Sequence, residues 1–264
     1  FLTRAAGSDN FAVFTQYIGL LGSVEDKIVE CFKKGGGVPY DDFLRFHAVM
    51  AEDSGQSVLS SLESHVLPLV PGLTDKLANS ISVLDIGCGR GRIINRLADL
   101  FPNSRFTGID ISVEAIGKAR DDASRQRSRN VEFVVRDLSD FDKSAEPEAF
   151  DLITSFDAIH DQVKPLNVLK GIYRALKADG VYLMQDIKGS SHVYKNVDHP
   201  IGTFLYTIST MHCMTVSLSQ GGEGLGAMWG EEKAREYLEK AGFRSIVTNE
   251  LAHDIQNNWY VIRK

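Results

Sequence analysis

Two periodicities divide the chain. Over residues 1–80, apolar positions recur three and four apart between breakers. "NFAVFTQYIGLLG" and "VEDKIVECFKKGGG" each predict a helix, the second closed by Gly35, Gly36 and Gly37. "YDDFLRFHAVMAEDSGQSVLSSLESHVLPLV" predicts one or two more, ending at Pro71 and Gly72. From residue 81 short apolar runs take over, at 81–86, 105–110, 131–137, 150–157 and 180–186, with helical stretches near 91–100, 113–126 and 165–177. Near-continuous apolar strands separated by helices predict a parallel sheet covered on both faces, a doubly wound α/β fold. Near the end, "EEKAREYLEKAGF" reads as an amphipathic helix, and "FRSIVTNEL" and "NNWYVIRK" as two strands. These two form a hairpin-like pair, so one of them runs antiparallel to its neighbour. The expected division is a helical N-terminal region over 1–75 and an α/β domain over 76–264.

Composition narrows the class. The 264 residues are 43% hydrophobic and 24% charged, as in an ordinary globular protein. A net charge of -6 argues against broad nucleic-acid binding. Cys31, Cys88 and Cys213 are odd in number, widely spaced and without a CxxC, so neither a disulfide framework nor a zinc site is expected. Seven histidines show no HExxH spacing, and no metal is expected on that ground. No apolar run reaches membrane-spanning length and no leader opens the chain, so a cytoplasmic location is expected. The chain starts at Phe1, which suggests a missing N-terminal piece.

The most informative stretch is "VLDIGCGRGRIINRLADLFPNSRFTGIDIS", residues 83 to 112: a strand, a glycine-rich turn, a helix, and a second strand ending in an acid. The glycines Gly87, Gly89 and Gly91 are spaced G-x-G-x-G, unlike the G-x-G-x-x-G of dinucleotide sites. Asp85, two residues before them, suits an ammonium and repels a pyrophosphate. Asp110 can accept from two ribose hydroxyls, and Asp137 can accept from an adenine amino group beside the backbone N–H of Leu138. Three acids at the ends of three consecutive strands converge where open α/β sheets bind ligands. The cofactor they fit is S-adenosylmethionine, and Gly87, Cys88, Gly89 and Ile111 complete its cradle. A nicotinamide oxidoreductase is the weaker alternative.

"VLDIGCGRG", "FTGIDIS", "FVVRDL" and the "GVYLMQD" strand after "ALKADG" resemble class I S-adenosylmethionine-dependent methyltransferases. The resemblance covers about residues 80 to 264. It implies a seven-stranded sheet of order 3-2-1-4-5-7-6 with strand 7 antiparallel. "GGGVPY", "FDAIHDQ", "LMQDIKGSS", "STMHCMTVSL" and "GLGAMWG" further resemble a group carrying an N-terminal winged-helix region. This implies a homodimer, with residues 1 to 35 as remnant or connector of that region. A regulatory protein that binds the cofactor and contacts DNA or a partner through a winged helix is the alternative function.

A methyl acceptor must lie near the carboxyl end of the fourth strand, in "SFDAIHDQ". Phe156 and Asp157 are placed to line the cofactor's methionine arm. His160 is the candidate base, needed if the acceptor is protonated at neutral pH, and Asp161 could orient it. Residues 199 to 229 are expected to cover the crevice, with Tyr206, His212 and Trp229 as walls of a pocket for a small-molecule acceptor. Tyr40 and His47 fall in a lead-in expected to act as a lid. "SFDA" stands where base-methylating enzymes carry an "NPPY"-type motif, which speaks against a nucleic-acid substrate. The Y-x-x-x-K spacing of Tyr173 and Lys177 imitates short-chain dehydrogenases, but the helix runs away from the active-site end.

Overall fold

The computed structural model describes residues 2–3, 5–6 and 10–264. Four helices lead in: α1 (Ala12–Gly22), α2 (Glu25–Lys34), α3 (Phe46–Ser57) and α4 (Leu73–Ala78). Strands and helices then alternate through β1 (Ser82–Ile86), α5 (Arg92–Leu100), β2 (Arg105–Asp110), α6 (Val113–Gln126), β3 (Val131–Val135), α7 (Phe141–Ser144), β4 (Phe150–Phe156), α8 (Pro165–Ala175) and β5 (Leu176–Ile187). The cover segment holds α9 (Gly202–Ile208) and α10 (Met214–Ser219), joined by a π-helical turn, Ser209–Cys213. The chain ends with α11 (Gly230–Ala241), β6 (Ser245–Asn249) and β7 (Asn257–Arg263).

One seven-stranded sheet runs in the order β3-β2-β1-β4-β5-β7-β6. β7 is antiparallel to both β5 and β6, and the remaining neighbours are parallel. The run-on apolar strands are explained by burial on both faces. Val83, Leu152, Val181, Leu183, Trp259 and Val261 point to a core formed with α4, α5 and α6. Leu84, Ile153, Tyr182, Met184, Tyr260 and Ile262 point to the opposite core, under α8 and α11. A third cluster joins α1, α2 and α3 to Val216 of α10, so the lead-in packs on the cover segment.

Local chemistry fixes the element ends. Ser112 caps α6, its hydroxyl accepting from Ala115 N–H at 3.2 Å, and Pro165 opens α8. Gly91 begins α5 at φ +64°, where a Cβ would stand 2.5 Å from Phe133 and 2.8 Å from Ala119. Only glycine lets α5 start this close to β3 and α6.

Three boundaries differ from the sequence expectation. β3 stops at Val135 rather than at Asp137, because Asp137 turns to accept from Ser139 N–H (2.8 Å) and hydroxyl (2.6 Å). α8 ends at Ala175, and the expected last helical residues open β5, whose pairing with β4 is irregular between Phe150 and Leu152. Tyr173 consequently remains helical while Lys177 lies in β5, bonded to Asp151 at 2.9 Å. This separates the dehydrogenase-like pair.

Candidate functional site

The loop after β1 is tied to β2: Gly87 N–H and Cys88 N–H both donate to Ile109 carbonyl, at 2.8 and 3.0 Å. Gly87 has φ +68°, and a side chain there would collide with Ala158. Gly89 N–H donates to Asp110 Oδ2 and Ser112 N–H to Asp110 Oδ1, both at 2.8 Å. The loop therefore organises Asp110, and each carboxylate oxygen retains a lone pair for a further donor.

Asp85 is 3% exposed and accepts from Thr154 hydroxyl at 2.7 Å. Burial pushes its carboxyl up to about 7, the Thr154 bond opposes this, and nearby Asp110 adds to the rise. Asp137 is exposed and held below the usual range, chiefly by the Ser139 hydroxyl bond and then by the Ser139 N–H. Asp157 adopts φ +50°, a region Asp tolerates better than most residues. Gln185 Nε2 donates to its Oδ2 at 3.1 Å, while Oδ1 is without a partner. Burial, then repulsion from Asp186, raises the pKa of Asp157.

Asp85, Gly87, Cys88, Gly89, Asp110, Ile111, Asp137, Leu138, Phe156 and Asp157 all line one crevice at the carboxyl ends of the strands. Tyr40, Phe46, His47 and Met50 of the lead-in form its other side. Arg92 donates to Ala51 carbonyl and Tyr40 hydroxyl to Asp161 Oδ2 (3.1 Å), fastening the lead-in across the opening. Tyr40 and His47 are stacked with ring centres 6.0 Å apart. Burial lowers the His47 pKa, so its ring is neutral at neutral pH.

Four expected site residues lie elsewhere. His160 does not border the crevice: it is 2% exposed, with Nδ1 2.7 Å from Asp186 Oδ1 and Nε2 3.3 Å from Asp161 Oδ1. Burial alone would lower its pKa, but Asp186 and Asp161 outweigh it and hold the value well above the usual one. Trp229 is also buried, donating its indole N–H to Asp186 Oδ1 at 3.0 Å. His212 is 1% exposed and stacked on Phe46 at 3.7 Å; burial depresses its pKa to about 4. Tyr206 lines a separate surface groove with Asn196, to which it is bonded at 2.8 Å. The His212 part of the cover segment thus packs behind Phe46, Gln220 is the residue of 199–229 that lines the crevice, and the lead-in forms most of the side expected for that segment. Sequence reasoning passed over Asp186 and Thr154, although Asp186 continues the pattern of acids at strand ends.

A profile described as "Methyltransferase domain" matches residues 77–251. The chain belongs to the methyltransferase-domain family. The methyltransferase domain is 28% identical over 149 residues to a malonyl-[acyl-carrier protein] O-methyltransferase of Bacillus cereus, covering 56% of this chain and 48% of the relative. The chain thus spans about half the length of that relative. Among solved structures, an O-methyltransferase family protein from Burkholderia thailandensis superposes with TM-score 0.71 at 14% identity, over 97% of this chain and 72% of the other. Human N-acetylserotonin methyltransferase, solved in complex with SAM, gives TM-score 0.63 at 20% identity, over 96% and 70%. Both share the fold. Among the described residues no helix is long and apolar enough to cross a membrane.

Proposed function

We propose that the chain binds S-adenosylmethionine in this crevice and transfers its methyl group to a small-molecule acceptor. The observation that carries the reading is the convergence of Asp85, Asp110 and Asp137 on one crevice. The donor set fits the cofactor: Asp85 suits the aminoacyl ammonium, Asp110 the ribose hydroxyls, and Asp137 with Leu138 N–H the adenine edge. When bound, the cofactor supplies an electrophilic methyl group on a sulfonium. The chain's contribution is to position the acceptor and exclude water, and the Tyr40–Met50 side of the crevice is suited to both. Likeness to O-methyltransferases supports an oxygen acceptor.

His160 itself does not border the crevice: its Nδ1 faces buried Asp186 and its Nε2 faces Asp161, a crevice-lining acid, so we do not assign it the direct acceptance of a proton from the methyl acceptor. We assign that role to His47, a neutral imidazole on the crevice surface. Residues 1–75 act as lid and connector, and 76–264 carry the cofactor. Exposed Ile18, Val29 and Phe32 on α1 and α2 support a homodimer contact, continuous with any winged-helix region before them, in a cytoplasmic protein.

The test is calorimetric titration with S-adenosylhomocysteine on the parent and on Asp137→Ala, followed by radiolabelled methyl transfer across a panel of hydroxyl, amine and carbon acceptors. Binding weakened about tenfold in the variant supports the reading, since one charged hydrogen bond contributes roughly 1.5 kcal/mol or more. A folded parent that ignores this ligand, or one whose addition changes NADH fluorescence instead, overturns it.

A further inference from the structure

A polar cluster runs back from Asp161, at the crevice wall, into the interior, and no group behind that acid has a part in the proposed methyl transfer. Asp186 Oδ1 accepts from Trp229 Nε1–H at 3.0 Å and Ile187 N–H at 2.8 Å, and His160 Nδ1 stands 2.7 Å away. That third bond places a proton on His160 Nδ1 and turns Nε2 toward the opposite side. There it meets Asp161 Oδ1 at 3.3 Å, with Cys213 alongside. A ring nitrogen of His160, a carboxylate oxygen of Asp161 and Cys213 Sγ lie within 4.8 Å of one another. The His160 and Asp161 side chains are 3% and 10% exposed, and Cys213 is 4%.

The hydrogen bonding here is incomplete. Asp161 Oδ1 has no hydrogen-bond partner, so a proton on Nε2 would not be directed at it. Both ring nitrogens of buried His212 also lack partners, and its Nδ1 faces Asp161 Oδ2 at 4.0 Å. Buried polar atoms left unpaired cost free energy, and several together mark the place of an ion or a water.

We propose that His160, Asp161 and Cys213 form a binding site for a divalent transition-metal ion of the zinc type. Imidazole nitrogen, carboxylate oxygen and thiolate sulfur are the donors such an ion takes, and three protein ligands leave a fourth position open. The supporting shell is present: Asp186 orients His160, and Tyr40 hydroxyl bonds the other oxygen of Asp161. The ligands come from the loop after β4 and from the π-helical turn of the cover segment, so the ion clamps that segment to the end of the sheet. Separate origins also explain why no metal-type spacing is visible along the chain. Asp157, His160 and Asp186 approach equally closely and also leave Asp157 Oδ1 and Asp186 Oδ2 unpaired, but that set offers no sulfur, and its histidine nitrogen toward Asp186 is already taken by a hydrogen bond. Binding balances as Cys–SH, the His160 imidazolium, the Asp161 carboxylate and M²⁺ giving the ion held by thiolate, imidazole and carboxylate, plus two protons released to solvent; without the ion, burial keeps the thiol protonated, with a pKa pushed up to about 12.

The test uses the full chain, stripped with a chelator and titrated with Co²⁺ and then Zn²⁺. One equivalent of Co²⁺ should bind and give a thiolate-to-cobalt charge-transfer band, which Zn²⁺ bleaches. Cys213→Ser should abolish the band and weaken Zn²⁺ binding at least tenfold, whereas Cys31→Ser and Cys88→Ser should retain both. Circular dichroism checks that each variant is folded. If Cys213→Ser is not, Asp161→Asn carries the same expectation for affinity. No charge-transfer band in the parent, or a band that follows Cys88 or Cys31, overturns the proposal. The readout involves no methyl transfer, so this site and the proposed activity stand or fall separately.

Discussion

Asp85→Asn should stabilise the fold while impairing ligand binding. The carboxyl sits in the crevice floor, 3% exposed, with its pKa lifted from 3.8 to about 7 mainly by burial. A folded-state pKa above the unfolded one means that the native protein holds this proton more tightly. The stabilisation is fully present below about pH 4 and is lost as the pH rises through about 7. Over that interval, at roughly 1.4 kcal/mol per pH unit, the ionised side chain comes to cost about 4 kcal/mol. Asparagine keeps the oxygen that accepts from Thr154 and carries no charge, so most of this cost is removed. For a chain of this size the melting temperature should rise by about 5 to 10 °C at pH 8 and hardly at all near pH 4. Thermal unfolding at several pH values measures the difference. Calorimetry on the same samples should show S-adenosylhomocysteine affinity reduced at least tenfold. A variant no more stable than the parent at pH 8, or a difference independent of pH, would refute the account of Asp85.

Other outcomes follow from the same geometry. Gly91→Ala drives a methyl group into Phe133 and Ala119 at a left-handed backbone position, and should lower stability by about 2 to 4 kcal/mol in urea unfolding. Tyr40→Phe removes one lid bond to Asp161 and should weaken S-adenosylhomocysteine binding about fivefold, a loss near 1 kcal/mol, with unchanged circular dichroism. His47→Gln should lower the methylation rate of a hydroxyl acceptor at least 100-fold with little change in cofactor affinity. If the proposed homodimer forms through this face, the parent should sediment as a dimer and Ile18→Lys with Phe32→Lys as a monomer.

The sheet was legible in the sequence because burial on both faces writes an unmistakable pattern: Val83 and Leu84 serve opposite cores, as do Leu152 and Ile153. That ten expected positions would line one crevice was legible because they are local in sequence, each within a few residues of a strand end. The reach of the cover segment was not. Tyr206, His212 and Trp229 are apolar or aromatic enough for a pocket wall, but composition does not say which surface a 31-residue insertion turns toward. Phe46 decides it for His212, by stacking on that ring and standing between it and the crevice, which Gln220 of the same segment does reach. The surroundings of His160 were not legible for a related reason. Its partner Asp186 lies 26 residues away in β5, and only the pairing of β4 with β5 brings them together.

The lead-in is fastened at both ends of its span. Val38 N–H is bonded to Thr215 hydroxyl at 2.6 Å, Tyr40 to Asp161, and Arg92 to Ala51 carbonyl. A ligand exchanging with solvent must therefore break some of these fastenings, and opening becomes a kinetic step of its own. Product departure, rather than the displacement at carbon, would then set the pace of turnover, and loosening this clasp should quicken release even as it weakens affinity.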